Sequence, residues 1–236
     1  MSNPYFQFKQ FTVWHDKCAM KVGTDGVLLG AWTPVWEVRH ILDIGTGTGL
    51  VALMLAQRSP VDTKIVALEI DESAVEQAKE NVVRTPWKER VEVVQADFIQ
   101  YQSSDKFDVI VSNPPYFIDS LECPDQQRNA ARHNNSLTYE ELLKGVAGLL
   151  AEDGAFTVVI PADVADRLKT MALKWDLYAV RQLNVVTKPG GAPKRVLITF
   201  SFNNQECIIE SLLTEIARHQ YSEEYISLTR EYYLNL

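Results

Sequence analysis

The chain has 236 residues, of which 46% are hydrophobic and 23% are charged, and this composition is sufficient to bury the core of one α/β domain. It contains no apolar run long enough to span a membrane and no signal-peptide pattern at its start, so we expect a soluble, cytoplasmic protein. A net charge of -8 argues against a large, sequence-independent nucleic-acid surface, and three scattered cysteines, Cys18, Cys123 and Cys207, indicate neither a zinc site nor a disulfide framework.

From residue 39 onward, short apolar runs alternate with amphipathic stretches, which is typical of parallel strands joined by crossover helices. Seven apolar runs are the predicted strands: His40–Ile44, Lys64–Leu68, Val91–Gln95, Phe107–Ser112, Ala155–Ile160, Ala179–Val186 and Val196–Phe202. Three sets of apolar residues at helical spacing predict helices that pack on the sheet: Ala74, Val75, Ala78 and Val82; Leu142, Leu143, Val146, Leu149 and Leu150; and Val164, Leu168 and Met171. Thr138 and Glu141 have the spacing of a capping box, which places the start of the second helix there.

A glycine loop follows the first predicted strand. Residues 40–50 read HILDIGTGTGL, so an apolar strand runs into Gly45, Gly47 and Gly49 and then into a helix. Glycines at this turn of a Rossmann-like half allow a tight turn and let a ligand approach the backbone closely. The spacing is not the G-x-G-x-x-G that holds a pyrophosphate, and Asp43 before the loop suits a cofactor with an ammonium group. The loop therefore favours S-adenosylmethionine over NAD.

Acidic residues follow the next two strands. Glu69 stands at the tip of the second strand, where a carboxylate can accept both ribose hydroxyls of an adenosine-containing cofactor. Asp97 and Phe98 come just past the third strand and offer a carboxylate for the adenine amine and a ring for the adenine face. An Asp after a strand more often caps a helix, so the prediction of one cofactor site rests on the order of these residues at consecutive strand ends.

The fourth predicted strand ends in the tetrapeptide Asn-Pro-Pro-Tyr, residues 113–116. An aromatic amine is a poor nucleophile because its lone pair is delocalised, and two acceptors at its N–H groups would localise that pair without a metal. The Asn113 side-chain oxygen and the Pro114 carbonyl are the candidate acceptors. Pro114 and Pro115 preset the backbone, and Tyr116 can stack on the base. The structural alternative is that the prolines only end the strand and Asn113 caps a turn.

Two later segments carry candidate contacts to RNA. The long segment 113–137 has no sustained periodicity, and the segment 187–195, rich in glycine and proline, predicts a hairpin that makes the seventh strand antiparallel. The candidate phosphate contacts are Arg128 and Arg132 in the first segment and Lys188, Lys194 and Arg195 in the second. Short basic clusters are also common on solvated hairpins, and Arg132 could instead hold its own loop in place.

The glycine loop, Glu69, Asp97 and the tetrapeptide, in this order, resemble the class I amino-methyltransferases. The segments Phe8–Trp32 and Tyr221–Leu234 are similar to the bacterial family that methylates adenine N6 beside the anticodon of a valine tRNA. The resemblance covers essentially the whole chain. It implies a Rossmann-like class I methyltransferase fold, with a seven-stranded, mostly parallel sheet whose last strand is antiparallel and helices on both faces. It also implies S-adenosylmethionine as cofactor and tRNA as partner, with no metal, membrane or obligate protein partner.

The resemblance further implies that residues 21–25 fold over the cofactor, with Lys21 or Thr24 near its carboxylate. We therefore expect one methyltransferase domain over residues 1–236. Within it, residues 1–38 form an N-terminal cofactor lid, residues 39–202 the Rossmann-like core, and residues 203–236 a C-terminal tail that packs on the core.

Three other functions fit part of this pattern. A protein-glutamine N5-methyltransferase would use the same tetrapeptide on an amide nitrogen, but that family carries a helical domain before its glycine loop, where this chain has only residues 1–39. A catalytically silent cofactor-binding RNA adaptor would be expected to have a broken tetrapeptide. A nicotinamide oxidoreductase is disfavoured by the loop spacing and by Asp43.

Overall fold

The computed structural model describes residues 3–18, 20–115, 137–218 and 220–235. Over these residues one mixed sheet forms the centre of the molecule, and its eight strands have the spatial order β10-β8-β9-β7-β6-β3-β4-β5. Their bounds are β3 (His40–Ile44), β4 (Lys64–Glu69), β5 (Val91–Gln95), β6 (Phe107–Ser112), β7 (Leu150–Pro161), β8 (Tyr178–Val186), β9 (Arg195–Ser201) and β10 (Ile208–Leu213). Two further antiparallel pairs lie outside this sheet: β1 (Tyr5–Gln7) with β2 (Thr12–Trp14), and β11 (Glu215–Ala217) with β12 (Gln220–Tyr221).

The strand β9 runs antiparallel to both of its neighbours, β7 and β8, whereas the other paired strands of the sheet are parallel. The prediction of an antiparallel seventh strand is thus confirmed. The strand count of seven is wrong, because β10 adds an eighth strand parallel to β8. From sequence, the residues of β10 are predicted to belong to the C-terminal tail, because they lack the apolar run of a central strand. As an edge strand, β10 exposes Ile208 through Ser211 and buries only Leu212.

Helices cover both faces of the sheet, as predicted. Their bounds are α1 (Thr24–Trp32), α2 (Leu50–Arg58), α3 (Glu72–Val83), α4 (Tyr139–Leu149), α5 (Ala165–Ala172) and α6 (Glu223–Thr229). The first three helices share one buried cluster with Ile41 of β3, and α4 and α5 share another with Leu42 of the same strand. Successive strand residues point to opposite faces, so this alternation separates the two layers. The capping box of α4 is confirmed, with Thr138 and Glu141 bonded to each other's backbone amides.

The helix α1 lies in the core and not in a surface lid. Seven of its nine residues are buried, and it packs closely on α2. A Cβ atom on Gly30 would stand 2.7 Å from the Met54 Cβ, so only glycine permits this approach. The second half of the segment predicted as a lid is therefore structural. No helix in the described part of the chain has the length and apolarity needed to cross a membrane.

Candidate active site

The carboxyl ends of three parallel strands, β3, β4 and β6, meet at one edge of the sheet. Ile44 of β3 pairs with Leu68 of β4 on one side and with Ser112 of β6 on the other. The residues that follow these three positions, Gly45, Glu69 and Asn113, consequently leave the sheet side by side. In open α/β sheets this edge is where ligands bind.

The three loop glycines adopt backbone conformations that other residues rarely take. The φ angles of Gly45, Gly47 and Gly49 are +71°, +56° and +82°. A Cβ on Gly45 or Gly47 would meet nothing within 4 Å, so at these two positions backbone conformation and not crowding requires glycine. The amides of Gly45 and Thr46 both donate to the Leu68 carbonyl, at 3.0 and 2.9 Å, and this fixes the loop to β4. The loop thus has a fixed shape with open space beside two of its backbone positions.

Asp43 lies beneath the loop and is only 1% exposed. Its Oδ2 atom accepts hydrogen bonds from the Thr46 hydroxyl, at 2.5 Å, and from the Ala52 amide, at 3.2 Å, so it joins the loop to α2. Burial raises the pKa of Asp43 to about 7, and the two hydrogen bonds counteract only part of this rise. Asp43 therefore carries only part of a negative charge near pH 7, which weakens its attraction for an ammonium group. A contact with the cofactor ammonium stays a prediction.

Glu69 ends β4, as predicted, and its carboxylate is held by three backbone amides. Oε2 accepts from Gly47 at 2.8 Å, and Oε1 accepts from Ile70 at 2.8 Å and Asp71 at 3.0 Å. A carboxylate has about four lone-pair positions, two on each oxygen, so Oε1 is fully used by two amides and Oε2 keeps one position for another donor. The carboxylate is therefore oriented beside the loop before any hydroxyl reaches it.

The structure separates the two residues predicted to contact adenine. Asp97 is half-buried at the same edge, and its Oδ1 accepts from the Ile99 amide at 3.0 Å, which is the turn-capping role weighed above. Phe98 is 7% exposed and belongs to the core cluster of α4. A Cβ on Gly145 would lie 2.5 Å from the Phe98 Cε1 atom, so the ring packs flush against that helix. Asp97 stays a candidate, and a contact of the Phe98 ring with the adenine face stays a prediction.

Asn113 presents an unsatisfied acceptor. Its Oδ1 atom is buried and has no hydrogen-bond partner over the residues that the structure describes. The first turn of α1 packs beside it, since a Cβ on Gly26 would lie 3.8 Å from the Asn113 Nδ2 atom. Just before it, the Ser112 hydroxyl donates to the Ile44 carbonyl at 3.0 Å and ties β6 to the strand that carries the glycine loop. Pro114 is buried and Pro115 is exposed, whereas Tyr116 lies outside the described residues.

An amide on α3 that the sequence analysis did not single out joins the N-terminal segment to the glycine loop. The fully buried Asn81 accepts from the Trp14 amide at 2.9 Å and donates to the Trp14 and Thr48 carbonyls at 2.8 and 2.9 Å. Gln77, one turn earlier, accepts from the Lys17 amide at 3.1 Å. Two amides four residues apart on an otherwise apolar helix face were the signal that could have revealed this connection.

The remaining candidates have different surroundings. Lys21 and Thr24 are exposed, and Thr24 is the first residue of α1. Lys188 and Lys194 are exposed at the carboxyl edge of the sheet, but the Arg195 Nε atom pairs with Asp25 Oδ2 at 3.0 Å, which links β9 to α1. Arg128 and Arg132 lie outside the described residues. Within the described ranges, no cluster of three or more His, Cys, Asp or Glu side chains could hold a metal ion.

Comparisons with known proteins agree on one family. The model of the methyltransferase small domain matches residues 22–182. A tRNA1(Val) (adenine(37)-N6)-methyltransferase from Bacteroides thetaiotaomicron is 76% identical over 100% of both chains, and one from Aeromonas hydrophila is 45% identical over 99% of both. Among solved structures, a predicted O-methyltransferase from Agrobacterium tumefaciens matches with a TM-score of 0.67 and 16% identity. That match covers 88% of this chain and 96% of the other, and at such low identity it supports the fold alone.

Proposed function

We propose that this chain, which belongs to the tRNA1(Val) (adenine(37)-N6)-methyltransferase family, methylates N6 of adenine 37 in that tRNA. Its fold is the Rossmann-like class I methyltransferase fold, and its cofactor is S-adenosylmethionine. The structural observation that carries the proposal is the buried Asn113 Oδ1 atom, which has no partner among the described residues and lies beside the glycine loop.

An acceptor of this kind suits an amine substrate. A buried polar atom without a partner costs about 1–3 kcal/mol, and an N–H group delivered by the substrate would remove that cost. The Asn113 oxygen would accept one N–H of the adenine amine and the Pro114 carbonyl the other. This arrangement withdraws the nitrogen lone pair from the aromatic ring. An amide cannot take up a proton at neutral pH, so we assign Asn113 to holding and polarising the amine.

The residues at the neighbouring strand ends fit S-adenosylmethionine. Its bound form supplies the methyl group. Open space beside Gly45 and Gly47 lets a ligand approach the loop backbone, and the free acceptor position on Glu69 Oε2 can take a ribose hydroxyl. We assign the remaining contacts as proposals: Asp97 to the adenine amine, Asp43 to the ammonium group, and Lys21 or Thr24 to the carboxylate.

We further propose that the chain acts as one domain in the cytoplasm, where tRNA is found, without a metal or protein partner. The integration of α1 into the core and of β10 into the central sheet supports the single domain. Lys188 and Lys194 are proposed to contact tRNA phosphates, together with Arg128 and Arg132. We propose that Tyr116 stacks on the target base.

The test is a transfer assay with purified protein, methyl-labelled S-adenosylmethionine, a metal chelator and total tRNA from a strain that lacks the gene. We expect the label in N6-methyladenosine at position 37 of a valine tRNA. Label at another nucleoside would contradict the substrate, and label in glutamine of added protein would support the protein-glutamine alternative. Binding of tRNA and cofactor without transfer would support the silent adaptor.

A further inference from the structure

A cavity of about 410 Å³ opens at the carboxyl edge of the sheet, beyond Asn113 as seen from the glycine loop. Its walls come from the first turns of α1, the ends of β8, β9 and β10 at this edge, and the C-terminal segment that contains β12 and α6. Its volume falls within the range of small-ligand sites in proteins. Two residues with proposed roles, Thr24 and Lys194, also line this cavity, but those proposals place no ligand inside it.

The cavity is close to the proposed amine site. Only β7 separates β6, which ends at Asn113, from β9, which begins at Arg195 in the cavity wall. Two strand spacings amount to about 10 Å across the sheet, and the register places Arg195 about two residues, roughly 7 Å, further along the strands than Asn113. The first turn of α1 stands between the two sites, with Gly26 beside Asn113 and Asp25 paired with Arg195. The cavity wall nearest the amine site, at Arg195, is therefore within reach of an RNA strand whose target base is held at Asn113.

An aromatic ring at the cavity is suited to stacking on a base. Tyr221 lines it and remains 37% exposed. Its ring is stacked on Tyr225, with the centroids 5.1 Å apart and the planes 27° from parallel. Tyr225 is itself only 3% exposed, and its hydroxyl donates to the Tyr233 hydroxyl at 3.4 Å. The buried Tyr225 ring thus holds one face of the Tyr221 ring in place. Proteins bind unstacked RNA bases on exposed aromatic rings of this kind.

The charges in the wall favour a nucleotide over a simple anion. The carboxylate of Asp25 is paired with Arg195, and Glu215 adds a second carboxylate to the lining. Carboxylate oxygens accept hydrogen bonds from base amines and ribose hydroxyls, but they repel phosphate. Lys194 also lines the cavity and is exposed, so its ammonium group can meet a phosphate at the surface.

We propose that this cavity binds a nucleotide flanking the target adenine, with Tyr221 stacked on its base and Lys194 in contact with its phosphate. The inference rests on the proposed function, because it requires an RNA substrate. It gives the cavity a role in substrate selection: the neighbouring nucleotide must enter it for the target amine to reach Asn113.

The test measures methylation of an anticodon stem-loop in which each base flanking the target is replaced in turn by an abasic residue. For the unaltered protein, one abasic position should raise KM by about 5- to 150-fold, the range corresponding to the loss of one stacking contact. Tyr221→Ala should raise KM for the intact stem-loop by a similar factor and make the enzyme insensitive to that abasic position. Tyr221→Phe should restore the original KM, because the ring is kept.

Matched controls and independent readouts separate the possible failures. Trp36→Ala and Lys88→Ala change an exposed ring and an exposed cation in loops that precede β3 and β5, at the opposite edge of the sheet, and should leave KM unchanged. If the unaltered protein does not methylate the stem-loop or tRNA, the proposed function fails. If methylation is observed, either of two results overturns the cavity assignment. The first is that Tyr221→Ala leaves KM unchanged, and the second is that the increases in KM from Tyr221→Ala and from the abasic position multiply. If Tyr221→Ala lowers the Tm or weakens cofactor binding, its KM no longer tests the cavity, and Lys194→Ala is measured in its place. An unchanged KM for the stem-loop in Lys194→Ala would also overturn the cavity assignment.

Discussion

The two halves of the carboxyl edge differ in how their polar groups are satisfied. In the cofactor half, the carboxylates of Asp43 and Glu69 and the amide of Asn81 all bond to the protein's own backbone. In the amine half, the Asn113 oxygen is buried with no partner in the described ranges. The first half therefore has its shape set by internal bonds, whereas the second keeps an acceptor for which the substrate must supply the donor. Substitutions in the first should change cofactor affinity, and those in the second should change kcat.

Asn113→Ala should show the largest effect. Removing the acceptor should lower kcat by about 10²–10³-fold, comparable to the loss of one preorganised polar contact to a developing charge. KM for tRNA should rise much less, because the contact strengthens as the nitrogen becomes positive. Steady-state kinetics measures both values, and calorimetry should give an unchanged Kd for S-adenosylmethionine.

The matched variant is Asn113→Asp, which keeps an acceptor oxygen and places a negative charge beside the developing cation. It should retain substantial activity. If both variants kept the original kcat while tRNA binding collapsed, Asn113 would be a docking residue, and the contrast between the two halves would be lost.

Glu69→Ala tests the cofactor half. It should weaken the binding of S-adenosylmethionine and of its demethylated product by roughly 1.5–3 kcal/mol, from the loss of one hydrogen bond to a charged group. The variant also frees the Gly47 amide, so part of the loss would come from a looser glycine loop. Calorimetric titration measures the affinity, with Glu72→Ala as the control because that side chain is exposed on the first turn of α3. An unchanged Kd would remove Glu69 from the cofactor site.

The same contrast explains what the sequence could predict. The bounds of β3, β5 and β6 agree with the predicted bounds, because each is a short run rich in Val, Ile or Leu that directly follows a basic residue. Local chemistry also sufficed for the capping box at Thr138, since both partners lie within one turn. Glu69 and Asn113 could be placed at one edge because parallel strands carry their ends to the same side.

The remaining features depend on contacts between distant parts of the chain. A stretch such as β10 becomes a strand because β8 offers it an edge, and its own residues give no period-two signal. The position of Phe98 after β5 predicts a contact with adenine, but it does not reveal that the ring also packs against Gly145 of α4, where a side chain would collide with it. Asn81 gains its role from Trp14, 67 residues earlier in the chain. The spacing of Gln77 and Asn81 could indicate a buried polar pair on α3, but it does not identify this partner.

The smallest expected effect concerns the hairpin between β8 and β9. From sequence, Lys188, Lys194 and Arg195 would each contribute a phosphate contact, so replacing all three by alanine would remove about three contacts from the salt dependence of tRNA binding. The structure pairs Arg195 with Asp25, so this arginine is already partly neutralised and connects β9 to α1. We therefore expect the triple variant to flatten the slope of log K against log salt by about two contacts, at roughly 0.7–0.9 each.

The single variants separate the contributions of the hairpin residues. Lys188→Ala alone should remove one contact and leave the Kd of S-adenosylmethionine unaltered, whereas Arg195→Ala should remove less than one contact and loosen α1. Binding titrations at several salt concentrations measure these slopes, with Lys88→Ala as the control on the opposite edge. An unchanged slope in the triple variant would mean that the hairpin does not contact tRNA and is an ordinary solvated surface. A loss of three full contacts would mean that tRNA binding breaks the ion pair between Arg195 and Asp25.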